Sequence, residues 1–381
     1  MKRTLALLSA LLLLPCLLGL ALPARAFEPA TPESAGVASG AILDWLDAVE
    51  RDVDALHGFV LLRHGKAVAE GYWAPYEAGR PHMLYSLSKS FAATAIGIAA
   101  DEGKLSLDAP VLSFFPDKAP AAPAANLAAM RVRDLLCMGT GNHNDTFAPM
   151  KKEPDGDWVR VFFAQPVEHA PGTFFRYNTG ASYMLSAVLH KATGQHLLDY
   201  LTPRLFAPLG IEGATWERCP QGLHTGGYGL KVTTRDIAAL GQLYLQHGAW
   251  QGRSLLSTQW VAQATSRQID NGSNPESDWN QGYGFQFWRC RHNAYRGDGA
   301  FGQYCIVMPD QNAVLAINSG LGNMQQVLDL VWTRLLPAMR PEPLPADPAT
   351  QARLAARLAA LALPPVQGAP HAPLAARVLG K

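Results

Sequence analysis

β-rich segments stand at both ends of this chain with a long helical stretch between them, and that arrangement constrains the fold more than any other feature. At the N-terminal side, Gly58-Phe-Val-Leu-Leu-Arg63 and Lys66-Ala-Val-Ala-Glu70 flank a His64-Gly65 turn, which predicts an antiparallel hairpin. An amphipathic helix precedes it over Ala41 to Asp54, where Ile42, Leu43, Leu46 and Val49 recur at helical spacing. At the C-terminal side, Tyr283–Trp288, Gln303–Met308 and Asn312–Asn318 read as strands, followed by a helix from Met324 to Leu336. A lone hairpin cannot bury enough apolar surface to be stable, so the simplest packing joins both ends in one antiparallel sheet. The fold class expected is therefore α/β in the α+β sense: an antiparallel sheet flanked by helices, with an inserted all-helical region over about 105–281. The sheet itself draws on about 35–104 and 282–336, and 337–381 reads as a Pro- and Ala-rich tail with one short helix. A cleft is expected where insertion and sheet meet, because ligand sites favour such junctions.

Composition excludes several function classes. With 48% hydrophobic and 17% charged residues the chain is globular. Its formal net charge of +1 and the lack of a basic run give no electrostatic footprint for nucleic acid. Lys2 and Arg3, the apolar run from Leu5 to Leu22 and the Ala24-Arg25-Ala26 site form the pattern of a signal peptide over 1–26, which predicts export, a periplasmic or secreted location and no stable membrane anchor after cleavage. Cys137, Cys219, Cys290 and Cys305 match no zinc or redox spacing, and buried free thiols are expected. The histidines include no HExxH or HxH pair, so no metal and no cofactor is implied.

The chemistry-bearing candidate is Ser86-Leu87-Ser88-Lys89, at the start of a helical run that ends at Gly103. Residues three apart share a helix face, so the Lys89 amine can approach the Ser86 hydroxyl. Desolvation and the positive end of the helix dipole both favour a neutral lysine there, able to accept the serine proton. The Ser86 N–H, in the first turn, is available to an oxyanion. By itself the tetrapeptide also suits a capping Ser86 with a solvated Lys89, and Ser88 competes for the cap.

The stretch Leu84–Pro110, with its exit Gly103-Lys-Leu-Ser-Leu-Asp-Ala-Pro110, resembles the nucleophile helix of serine hydrolases related to class C β-lactamases and penicillin-binding proteins. Two further blocks agree: Pro171-Gly-Thr-Phe-Phe-Arg-Tyr-Asn-Thr-Gly180, and Gly226-Gly-Tyr-Gly-Leu-Lys-Val-Thr-Thr-Arg-Asp236. The resemblance covers roughly residues 35–336 and implies that Tyr177 is the second catalytic residue, relaying a proton if a nearby ammonium lowers its pKa.

Departures from the pattern bear on substrate. The second box is Tyr177-Asn178-Thr179, with the amide one residue early. The third box normally carries Lys or His before a glycine. His224-Thr225-Gly226 matches the letters but leads into a helix and reads as a decoy; Tyr295-Arg296-Gly297-Asp298 matches by position but lacks Lys or His, leaving Arg296 as the one candidate cation and a backbone N–H near Asp298 as a second oxyanion donor. The loop from Gly139 to Trp158, with Asn142, Asn144 and Asp145, is placed to roof the cleft. These features look closest to the esterase and 6-aminohexanoate-dimer hydrolase branch, acting on a small ester, amide or peptide. A D,D-peptidase or weak β-lactamase, and a penicillin-binding sensor with little turnover, are the alternative readings.

Overall fold

The computed structural model describes residues 27–53, 55–365 and 368, so the signal-peptide segment 1–26 lies outside the described residues. Its centre is a six-stranded antiparallel sheet made of β1 (Leu56–Arg63), β2 (Lys66–Tyr72), β3 (Trp288–Arg289), β4 (Tyr295–Gly299), β5 (Gln303–Met308) and β6 (Ala313–Ser319), in the spatial order β2-β1-β6-β5-β4-β3. The two ends of the chain meet where β1 pairs with β6, Phe59 opposite Ile317 and Leu61 opposite Leu315. His64 and Gly65 both adopt positive φ, 51° and 74°, the backbone of a tight hairpin turn that follows the strand twist.

Strand alternation feeds two apolar cores. Phe59, Leu61, Ile306 and Ile317 point to one face, where α1 (Ser39–Asp52) buries Ile42, Trp45 and Leu46 against them. Val60, Leu62, Val307 and Val314 point to the other, under α2 (Ser88–Asp101) and α4 (Thr234–Leu245), with α3 (Thr179–Thr193) packed beyond α2. Residues 88–99 of α2 are all buried, as expected of a helix clamped between a sheet and a helical layer. At Gly241 of α4 a Cβ would lie 2.6 Å from Val314 and 2.9 Å from the Cys305 sulfur, so glycine lets that helix lie directly on the sheet.

Three expectations need correction. Tyr283–Phe287 is not a strand: Gln286 has φ 61°, and the Gly284 N–H donates to the Phe287 carbonyl in a turn, so the alternating aromatics are core residues on an irregular segment. The insertion is not all helical, since His82–Met83, Leu230–Val232 and Thr215–Trp216 form a small three-stranded sheet. Nor does the domain end at 336. After α5 (Met324–Leu330), α6 (Pro348–Ala359) packs on α1 and β2, burying Leu354 and Leu361 in the α1-side core. The short helix expected in the tail is present, and its packing on the sheet is what the Pro- and Ala-rich text did not show. The four expected thiols, Cys137, Cys219, Cys290 and Cys305, are free and buried, and among the described residues no helix is long and apolar enough to cross a membrane.

Candidate active site

Ser86 sits in a short turn, Tyr85–Leu87, that leads straight into α2. The first main-chain donors used there are those of Leu87, to the Leu84 carbonyl, and Ser88, so the Ser86 N–H precedes them. Ser88 does not cap the helix: it is fully buried, and its hydroxyl accepts the Leu230 N–H at 3.1 Å, tying the start of α2 to the small sheet. Ser86 itself is partly exposed, whereas Lys89 behind it is 1% exposed. That contrast separates the site from the capping reading, in which the lysine would be solvated.

The Lys89 Nζ donates to Ser86 Oγ at 3.1 Å and to the Gly227 carbonyl at 2.7 Å. Burial lowers its pKa to about 7, against the opposing pull of Asp145 and Asp298. Gly227 was not singled out from the sequence, since a carbonyl has no side-chain signal. It belongs to the segment beginning at His224, and that segment matters through its backbone. His224 is buried, accepts the Leu198 N–H and has its pKa lowered by burial to about 4, in keeping with a decoy motif.

Tyr177 stands just before α3, partly buried, with the Lys89 Nζ 5.0 Å from its ring centroid. Its ring stacks on Trp288 at 5.3 Å and meets Tyr283 edge-on at 6.3 Å. The expected lowering of its pKa is corrected. Burial raises it, Asp298 adds to the rise, and a hydrogen bond with Ser86 opposes only in part. Tyr177 is therefore a phenol at neutral pH, while burial lowers the pKa of the Lys89 amine beside Ser86. Asn178 faces inward and caps α3 by accepting the Ala181 N–H, while also accepting from Thr146; it is part of the scaffold.

Of the third-box residues, Gly297 and Gly299 let β4 run against the Tyr85–Leu87 turn that carries Ser86. A Cβ on Gly297 would strike Leu87 and Ser90, and one on Gly299 the Leu84 carbonyl. The main chain at Asp298 is thus held beside Ser86. Tyr295 is buried, edge-on to Phe287. Arg296, expected as a candidate substrate-gripping charge, is corrected: it is fully buried, donates to Asp298, to the Asp278 carbonyl at 2.7 Å and to the Cys290 sulfur, and lies over the rings of Trp279, at 4.3 Å, and Trp288, at 5.7 Å. Asp298 is 7% exposed, and burial raises its carboxyl pKa while Arg296 opposes by charge and hydrogen bonding.

In the loop over 139–158, Asn142 and Trp158 are packing residues, whereas Asp145 is exposed and close enough to act on both Lys89 and Tyr177. Among the described residues no cluster of His, Cys, Asp and Glu is arranged to hold a metal ion.

A partly exposed serine backed by a buried lysine at the head of a sheet-supported helix defines a serine hydrolase. A sequence model of the beta-lactamase family matches residues 46–363, and the chain belongs to that family. It is 26% identical to the 6-aminohexanoate-dimer hydrolase of Paenarthrobacter ureafaciens over 310 residues, 76% of this chain and 79% of that protein. It is 26% identical to esterase EstB of Burkholderia gladioli over 178 residues, 41% of this chain and 44% of that protein. Its fold is shared with the penicillin-binding protein homologue of Pyrococcus abyssi, with a TM-score of 0.62 at 18% identity, covering 80% of this chain and 78% of that one.

Proposed function

We propose that this chain is an exported hydrolase of small esters or amides that works through an acyl-enzyme on Ser86. The observation that carries this reading is the lysine: an amine 3.1 Å from Ser86 Oγ whose pKa is brought to about 7 is half neutral at physiological pH. In that form it takes the Ser86 proton as Oγ attacks the substrate carbonyl. The Gly227 carbonyl holds Nζ in place throughout. Negative charge on the carbonyl oxygen is met by the N–H of Ser86 and a main-chain N–H at Asp298. Collapse of the adduct breaks the bond to the leaving oxygen or nitrogen, which takes the Tyr177 phenolic proton, and the Lys89 ammonium restores it. Water then attacks the acyl-Ser86 ester with the same groups in reverse order.

Export rests on the leader pattern of 1–26, with Phe27 as the expected first residue of the mature protein. The reading is tested with a fluorophosphonate probe and p-nitrophenyl acetate. Ser86 should be the labelled residue, and Ser86→Ala should lower turnover by at least about a thousandfold. Labelling elsewhere, or an active Ser86→Ala, would sink it.

A further inference from the structure

Two aromatic side chains beside Ser86 stand outside both apolar cores. Tyr85, the residue before Ser86, is 37% exposed and Phe301 is 50% exposed, and they are the large apolar side chains that stand exposed among the described residues. Their rings touch each other edge-on at 5.2 Å. Both residues hold positive φ, 48° at Tyr85 and 66° at Phe301, a region that side chains with a Cβ avoid. Left-handed backbone at bulky residues persists only where the surroundings impose it, and it gathers at functional sites.

At Phe301 the imposing contacts are visible. Its carbonyl accepts the Leu321 N–H at 2.9 Å and the Ser319 hydroxyl at 2.8 Å, so the β4–β5 hairpin tip is pinned to the end of β6. The backbone is fixed and the ring is sent outward, onto Tyr85. Tyr85 in turn lies in the segment that β4 approaches through Gly299. Two unfavourable conformations and two exposed rings thus converge next to one hydroxyl. None of this buries apolar surface in a core.

We propose that Tyr85 and Phe301 form an aromatic subsite beside Ser86 that receives a ring or alkyl chain of the substrate. The proposal rests on the acyl-enzyme reading and adds a substrate class to it: esters or amides with an aryl or extended alkyl group on one side of the scissile carbonyl. An edge-to-face or stacked contact with the pair excludes water from that group and supplies the preference.

The test measures kcat/KM ratios in two series, p-nitrophenyl phenylacetate over p-nitrophenyl acetate for the acyl side, and benzyl acetate over ethyl acetate for the alcohol side. Phe301→Gly is the informative variant because glycine suits a φ of 66°, so the change removes the ring without straining the chain. Its thermal melt verifies folding. At least one ratio should fall by about fivefold, on the order expected for one aromatic contact, and Phe301→Tyr should restore it. The series that responds identifies the side. Labelled Ser86 together with both ratios within twofold of the unaltered protein would overturn the subsite alone. Failure of Ser86 to react with the fluorophosphonate would remove the acyl-enzyme reading, and the subsite with it.

Discussion

Replacing Lys89 with methionine should cost the protein its activity and change its stability in a way that depends on pH. The amine is 1% exposed, and burial takes its pKa from the ordinary 10.5 to about 7. In the unfolded chain the same amine remains protonated to about pH 10. Between pH 7 and 10 the unfolded state therefore binds more protons than the folded one, and stability contributed by this group rises with pH. From pH 7, where the folded amine is about half protonated, to pH 9, the gain is about 2 kcal/mol at roughly 1.4 kcal/mol per pH unit. Lys89→Met has no such proton to shed. It also loses the hydrogen bonds to Gly227 and Ser86, at about 1 kcal/mol each, but that loss is the same at both pH values. Urea unfolding of both proteins at pH 7 and pH 9 isolates the term, because other titrating groups cancel in the double difference. The unaltered protein should gain about 2 kcal/mol on Lys89→Met over that interval. A difference that stays flat would mean that Lys89 keeps an ordinary pKa in the fold, and the general-base role would go with it.

The same group sets the rate profile: kcat/KM for p-nitrophenyl acetate should rise with pH through a midpoint of about 7 and show no falling limb below pH 10 from Tyr177, whose pKa burial raises; a midpoint near 10 would contradict a buried neutral amine. Arg296→Ala should destabilise by about 3–5 kcal/mol in urea unfolding, since it leaves the Asp298 carboxyl buried without its partner, and Arg296→Met with Asp298→Asn should recover most of that. An Arg296→Ala protein of unaltered stability would show that the pair is not the anchor the geometry makes it.

That Ser86 and Lys89 lie together was legible because the signal is local. Ser86 in the turn before α2, Lys89 in its first turn and Gly103 just past its end fall within eighteen consecutive residues, and three collinear blocks resemble the family to which the chain belongs. The joining of both chain ends in one sheet was legible as well, because a hairpin at one end and strands at the other each lacked a partner. What the sequence hid is set by tertiary contact. The Gly227 carbonyl has no residue-type signal, and it reaches Lys89 only because the small sheet holds that segment against α2. Arg296 stood as the candidate third-box cation, since a strand arginine faces either side and the sequence does not say which. Only the packing of Trp279 and Trp288 about it shows where it points. The Tyr283–Trp288 stretch has the alternation of a strand, but the left-handed Gln286 breaks it; its side-chain Nε2 donates to the Leu135 and Leu136 carbonyls and its side-chain Oε1 accepts from the Ser182 hydroxyl.

The tied-off Arg296 has a consequence for substrate charge. A substrate carboxylate gripped by a third-box cation gains on the order of 1.5–3 kcal/mol from charge-assisted hydrogen bonds. Here the cation at that place is already bound by Asp298 and shielded by two indoles. The nearby exposed charge is that of Asp145, which repels an anion, and Lys89 is half neutral at pH 7. Acyl transfer from a neutral ester needs no such grip, because it depends on the oxyanion donors and the amine. p-Nitrophenyl butyrate and p-nitrophenyl hemisuccinate carry the same leaving group and acyl chains of similar length, and differ chiefly in one carboxylate. The butyrate should be hydrolysed with a kcat/KM at least about tenfold higher, the fold-change that corresponds to about 1.4 kcal/mol. Asp145→Asn should narrow the gap by removing the repelling charge. Equal rates, or a preference for the hemisuccinate, would show that a cation reaches the substrate after all and that the burial of Arg296 does not decide the matter.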